Sequence, residues 1–226
     1  MTSPPRLALS LFRPIAPNYE RWASILSLGQ DKRWRRRLVG GLDVPRGSMI
    51  LDVAAGTGSI TRALFADGYQ VVALDQSEEM INRIDASEAG RLLATAERLP
   101  IRDETVDALT AGYLLRYVED LSAAMRELSR VVRPGGTVAM LEFGRPKGVW
   151  GPLWWLYTRI ALPLAGTVIG NGWSEVGRFL GPSIDGFWSR NAPEDLVELW
   201  ERAGLGQVRS QHMSLGGGFV IWGVKK

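Results

Sequence analysis

The sequence predicts an α/β fold: a mostly parallel seven-stranded sheet with one antiparallel edge strand and helices on both faces. Two observations carry this. From Ile50 onward short β-branched runs alternate with longer helical stretches, the pattern of a parallel sheet covered by helices. Near the carboxyl end two strand-like runs, QVRSQHM (207–213) and GFVIWGVK (218–225), follow one another as a hairpin would, which puts an antiparallel strand at one edge. At 226 residues the chain is long enough for one such domain, residues 1–226, to bury a continuous core.

Residues 1–46 read as an N-terminal helical cap. The first stretch, MTSPPRLALSLFRP, lacks the basic start and unbroken apolar core of a secretory signal, so a cytoplasmic location is expected. The cap carries nine Lys/Arg against three Asp/Glu, five of the nine in KRWRRR. That block is either a surface for an anionic partner or a solvated helix face with Trp34 packed inward. MILDV (49–53) is the first strand and Ser59–Ala66 the helix after it. Gly68 ends that helix, and QVVALD (70–75) is a fully apolar strand closing on an acid. Ser77 caps the helix SEEMINRI, whose first turn is acidic. A weak third strand near RLLAT (91–95), the turn LPIRDET and a fourth strand, VDALTAGYL, follow. Apolar residues at helical spacing mark a helix over Glu119–Val132, which PGG (134–136) stops before the fifth strand, TVAMLEF (137–143). Residues 144–190, rich in Trp, Gly and Pro, break the alternation as an insertion or lid; the helix APEDLVELWERAG and the final two strands restore it.

Composition narrows the chemistry. With no cysteine there are no disulfides, thiolate metal sites or cysteine nucleophiles, and with His212 as the sole histidine a histidine-rich metal site is excluded, so no metal is expected. The basic charge comes without an aromatic-interleaved RNA motif, so no nucleic-acid partner is expected.

In an open α/β sheet ligands bind beyond the carboxyl ends of the strands, where the first strand-to-helix turn lies. AAGTGS fills that turn. Gly56 and Gly58 permit a tight turn and a close approach to backbone N–H groups, and the small Ala54 and Ala55 leave room. Such a turn also serves close strand-to-helix packing. A nucleotide needs a second element, an acid ending the second strand for the ribose hydroxyls, and Asp75 stands there, 19 residues after Gly56. NAD is the natural competitor, but its fingerprint needs a third glycine where this chain has Thr61, and no P-loop Lys is present. Asp52, just before the loop, disfavours a pyrophosphate, whereas the amino and sulfonium groups of S-adenosylmethionine (SAM) tolerate a carboxylate.

LDVAAGTG, LDQSEEM and RVVRPGG followed by LEF, in this order, resemble the class I SAM-dependent methyltransferases and their Rossmann-like fold. More narrowly, IAPNYERW, SLGQDKRWRR, LLRYVED and RVVRPGGTVAMLEFGRP make nearly the whole chain similar to the C-methyltransferases of menaquinone and ubiquinone biosynthesis. The resemblance implies SAM as cofactor, with Gly56 and Thr57 around its methionine part, Ala54, Gly58, Asp52 and Gln76 beside the loop and ribose, and Asp75 on the ribose. It puts Thr95 and Ala96 at the adenine, Gly112 where the family often has serine, and Tyr19 over the cofactor. For each of these, packing is the competing role.

The implied reaction is attack of an electron-rich ring carbon of a reduced quinone on the sulfonium methyl, which asks for in-line alignment and a favoured phenolate. Arg116 matches the arginine of the family's LRN motif and would stabilise the phenolate or hold a water that removes its proton, or else form a plain salt bridge to Glu119 or Asp120. The chain departs from the family in Tyr117 for asparagine, in Gly177 and Phe179 for a pair of tyrosines, and in Ile221 for a C-terminal histidine, which His212 does not replace. The stretch 149–173 is apolar and aromatic with one charge, Arg159. Pro152, Pro163 and its glycines argue against a membrane span; it reads as a lid meeting a polyprenyl tail or the inner face of the membrane peripherally, or as core packing or a homodimer face. The reading is a SAM-dependent C-methyltransferase of a prenylated quinol, a lipophilic small molecule. The alternatives are a methyltransferase for another hydrophobic acceptor (phenol, polyketide or lipid) and a non-catalytic SAM- or nucleotide-binding module.

Overall fold

The computed structural model describes residues 4–226; residues 1–3, which open the expected cap and the segment tested for a secretory signal, lie outside the described residues. Seven strands of the described residues form one sheet: β1 (Met49–Val53), β2 (Gln70–Asp75), β3 (Gly90–Leu93), β4 (Val106–Gly112), β5 (Val132–Phe143), β6 (Leu205–Met213) and β7 (Gly218–Lys225). The order is β3-β2-β1-β4-β5-β7-β6, parallel from β3 to β5. β7 runs antiparallel to both β5 and β6 and stands one place in from the edge. Burial explains the placing. Six consecutive residues of β7 are buried, which suits an interior strand, whereas β6 is mostly exposed or half-buried and forms the edge.

The cap supplies α1 (Pro4–Phe12), α2 (Tyr19–Leu26) and α3 (Gln30–Val39). After β1 and β2 come α4 (Ser59–Ala66) and α5 (Glu78–Ile81), and α6 (Leu121–Arg130) leads into β5. The inserted segment folds as α7 (Gly151–Leu156), a π-helical stretch Tyr157–Ala161, α8 (Leu162–Ile169) and α9 (Trp173–Arg190), before α10 (Pro193–Arg202). Met125, Leu128, Phe187, Leu196 and Trp200 cover one face of the sheet. Trp34, Leu38, Ile60, Leu64 and Ile81 cover the other, so within the basic block KRWRRR Trp34 packs inward, and Arg35 is buried beside it. A third cluster, Leu11, Ile15, Trp173 and Val176, joins cap to insertion.

Some boundaries move. The helix expected over SEEMINRI is a single turn, Glu78–Ile81, although Ser77 does cap it, its Oγ accepting from Met80 N at 3.3 Å. Strand pairing begins at Val132, before PGG rather than after it. The glycines make a kink inside β5, with Gly135 at φ +81° and a register shift opposite Val106–Ala108. Among the described residues no helix is long and apolar enough to cross a membrane.

Candidate functional site

The loop after β1 takes its shape from three left-handed residues, Ala54 (φ +54°), Gly56 (+57°) and Gly58 (+87°). They do different work. A Cβ on Gly56 would meet no atom within 4 Å, so the loop leaves open space there, whereas one on Gly58 would lie 2.8 Å from Ile84 Cγ1. Parallel pairing of Val53 with Leu74 sets the end of β2 beside this loop. Asp75 accepts Gly56 N–H at 2.8 Å on one carboxylate oxygen and Ser77 N–H at 2.8 Å on the other. Burial pushes its carboxyl above the ordinary carboxylate range, against the pull of these backbone donors.

A cleft of about 980 Å³ opens beyond these strand ends. Tyr19, Ala54, Gly56, Thr57, Asp75, Gln76, Thr95, Ala96 and Gly112 all line it. Asp52 and Gly58 do not. Gly58 is taken up by the Ile84 side chain. Asp52 is fully buried behind the loop, where its oxygens accept the hydroxyls of Thr61 at 2.6 Å and Thr110 at 2.9 Å. The expectation that Asp52 faces the ligand is therefore corrected: it ties α4 and β4 to β1, and Thr61 stands where a dinucleotide site has glycine because its hydroxyl makes that tie. Burial raises the Asp52 carboxyl to about 6. Gly112 has its own cause, since a Cβ there would come within 2.8 Å of Ile60 Cδ1.

A second, largely apolar chamber of about 1270 Å³ adjoins the first, and Phe12, Tyr19, Tyr113 and Tyr117 line both. Its further walls include Trp34, Phe143, Trp154, Trp173 and Phe179, from the cap, β5 and the insertion. Arg116 lines it, with a side chain 2 % exposed. Its partner is neither Glu119 nor Asp120 but Glu142 of β5, at 3.0 Å, and it also donates to Ser183 Oγ at 3.2 Å. Burial alone would lower the Arg116 pKa, but Tyr117 and Glu142 raise it, so the guanidinium stays charged. Tyr117 stacks on Phe179, 6.0 Å between centroids, and its buried hydroxyl has no hydrogen-bond partner among the described residues. Gly177 stands where a Cβ would lie 2.7 Å from Leu162 O, so α9 can pack on α8 only with glycine there. His212 is exposed on β6, and neither it nor Ile221 reaches either chamber.

Three residues escaped the sequence. Glu20 of α2 accepts the hydroxyls of Thr57 (2.8 Å) and Ser59 (3.1 Å) and pairs with Arg62. Asp31 of α3 accepts Tyr113 Oη–H at 2.6 Å and Arg35 Nε–H at 2.8 Å, and it lines the second chamber. Tyr113, the residue after β4, adopts φ +60°. The one available signal was an acid at the start of a basic helix, which by itself reads as a favourable first-turn charge. The residues present fit SAM: the Asp75 carboxylate, with backbone donors from Gly56, Gln76 and Ser77, keeps acceptor capacity toward the cleft, and the loop is open at Gly56.

Comparison with known proteins agrees with this geometry. The sequence model of the ubiE/COQ5 methyltransferase family matches residues 6–225. A demethylmenaquinone methyltransferase of Mycobacterium marinum is 35% identical over 217 residues, 96% of this chain and 91% of that one. The ubiquinone/menaquinone biosynthesis C-methyltransferase UbiE of Desulfotalea psychrophila is 33% identical over 223 residues, 95% of this chain and 89% of the relative. Among solved structures, a SAM-dependent methyltransferase of Thermotoga maritima superposes with a TM-score of 0.67 at 20% identity, covering 96% of this chain and 99% of that one, which shows the shared fold.

Proposed function

The chain belongs to the ubiE/COQ5 methyltransferase family and is a SAM-dependent methyltransferase, and from that premise we propose that its acceptor is a prenylated quinol methylated on a ring carbon. The observation that supports this acceptor is the pairing of chambers: a cleft that holds Thr57, Asp75 and Gln76, and an apolar, aromatic one, meeting at Phe12, Tyr19, Tyr113 and Tyr117. A flat ring with a hydrocarbon tail suits the second.

SAM supplies an electrophilic methyl group on a sulfonium sulfur. In this reading Asp75 accepts the ribose hydroxyls with the acceptor capacity its backbone donors leave, Gln76 lies beside them, and Thr95 and Ala96 flank the adenine. Ala54, Gly56 and Thr57 border the methionine part, Gly112 leaves the floor open, and Tyr19 covers the junction. Arg116, kept charged by Glu142, stabilises the negative charge that develops on the ring oxygen, and the apolar walls exclude water that would weaken it. Val149, Trp150, Leu153, Trp155, Leu156, Ile160, Leu164 and Val168 are exposed on the inserted helices, where they support peripheral contact with a bilayer and passage of the tail.

The test is product analysis. Incubation with methyl-labelled SAM and a prenylated demethylnaphthoquinol gives, on this reading, a product whose label mass spectrometry locates on the ring carbon. An unlabelled acceptor, or a label on oxygen, contradicts it.

A further inference from the structure

We propose that Asp31 is the proton acceptor of this site, taking the proton of the acceptor's ring hydroxyl; the inference deepens the reading above and rests on it. Among the described residues that line the second chamber Asp31 is the one carboxylate, and it is 8 % exposed. It is held at both oxygens, by Tyr113 Oη–H at 2.6 Å and Arg35 Nε–H at 2.8 Å.

Tyr113 stands at the wall between the chambers with φ +60°, a conformation that a bulky residue adopts only where its surroundings fix it. They do so here. Its amide donates to Leu141 O at 2.7 Å and its ring stacks on Phe143 at 4.4 Å. The strained backbone aims the hydroxyl at Asp31. The titratable groups that face Asp31 are Arg35 on its own helix, Tyr113 just after β4 and Tyr19 from α2.

The other candidates are occupied or unsuited. Arg116 is held charged; Glu142, behind Arg116, is not among the residues that line the chamber; burial pushes the Tyr113 and Tyr117 hydroxyls above their usual range. A carboxylate with lone pairs to spare at the chamber wall is what remains.

The step balances. The ring O–H bond breaks and its proton passes to Asp31, while the oxygen's electron pair drives the ring carbon onto the methyl group. A C–C bond forms as the methyl–sulfur bond breaks, its pair staying on sulfur, and the ring is left as a ketone bearing both hydrogen and methyl on one carbon. That hydrogen leaves as a proton to water, its pair restores the aromatic ring, and the oxygen recovers the proton from Asp31. One proton is released in all, matching the positive charge lost at sulfur.

The experiment compares two acceptors of like shape, a hydroxynaphthalene that is un-ionised at the assay pH and one carrying electron-withdrawing groups that is ionised there. Asp31→Asn is expected to lose about 100-fold or more in kcat on the first acceptor and less than about threefold on the second, with SAM binding by calorimetry little changed. Tyr113→Phe keeps the Asp31–Arg35 pair, so it remains informative if Asp31→Asn does not fold; its loss is expected on the un-ionised acceptor alone. Equal losses on both acceptors, or none on either, overturn the proposal. No transfer by the wild type to either acceptor overturns the functional reading and this inference with it, whereas wild-type transfer that the variants leave unchanged overturns only the inference.

Discussion

The hydroxyl of Thr57 donates to Oε1 of Glu20 at 2.8 Å, so the N-terminal cap is fastened to the loop after β1. Ser59 adds a second hydroxyl at 3.1 Å, and Arg62 both pairs with Glu20 and donates to Thr57 O at 3.0 Å. Because Glu20 and Arg62 are partly exposed, the ion pair alone contributes little; the hydroxyl bonds to a charged group contribute more. Glu20→Ala is expected to weaken SAM binding roughly 5- to 30-fold, about 1–2 kcal/mol, with kcat changed far less. Calorimetry and steady-state kinetics check this, and hydrogen exchange should show α2 opening faster.

Arg116 and Glu142 form a pair in which both side chains are 2 % exposed. Arg116→Ala leaves a buried carboxylate without its partner and is expected to lose on the order of 3–5 kcal/mol in urea unfolding. Arg116→Lys keeps the charge but not the fork, so it should fold, bind SAM within about threefold of wild type, and lose roughly 10- to 100-fold in kcat. A loss of SAM affinity with normal kcat would move Arg116 out of the acceptor chamber's chemistry.

Asp52 gives a pH dependence whose sign is fixed. Its folded carboxyl sits near 6 against an ordinary 3.8, so the folded form holds the proton longer, and the group's contribution to stability is full below 3.8 and lost as pH rises through about 6. The whole shift is worth roughly 3 kcal/mol. Asp52→Asn removes this titration, and its amide can still meet the Thr61 and Thr110 hydroxyls. Urea unfolding should show the variant gaining on wild type by roughly 1–2 kcal/mol between pH 5 and 7.5, with no further gain above. A difference independent of pH would contradict a buried, proton-holding carboxyl.

Gly112 and Ile60 share one space. Gly112→Ala sets a Cβ 2.8 Å from Ile60 Cδ1 and is expected to cost about 1–3 kcal/mol, lowering SAM affinity as well because both residues line the cleft. Ile60→Val removes the obstructing methyl. The double variant should recover at least about 1 kcal/mol relative to the sum of the single effects in thermal unfolding.

Much of this architecture is written locally. β1, β2 and α4 have the boundaries that apolar runs and a small-residue turn dictate, and the place of Asp75 at the cleft is legible because it ends a buried strand beside the loop. The antiparallel strand was legible too, but its place inside the sheet follows from the even burial of β7, which only packing reveals. What was not legible depends on distant partners. Asp31 meets Tyr113 across 82 positions, so it could not be told from an ordinary surface charge by its neighbours in the chain; Arg116 was singled out by LLRYVED, but its partner Glu142, 26 positions on, was not. Asp52 was read from its nearness to the loop, yet β1 is buried on both faces and Asp52 is spent on the hydroxyls of Thr61 and Thr110.

The proposed reaction needs two ligands to meet across the wall of Tyr19, Tyr113 and Tyr117. A crystal structure of the protein with S-adenosylhomocysteine and a demethylnaphthoquinone tests it most directly. Ribose hydroxyls are expected within hydrogen-bond distance of Asp75, the sulfur facing the tyrosine wall, and the quinone ring in the second chamber beside Arg116 and Asp31. A nucleoside bound away from Asp75, or a quinone bound outside that chamber, would contradict it.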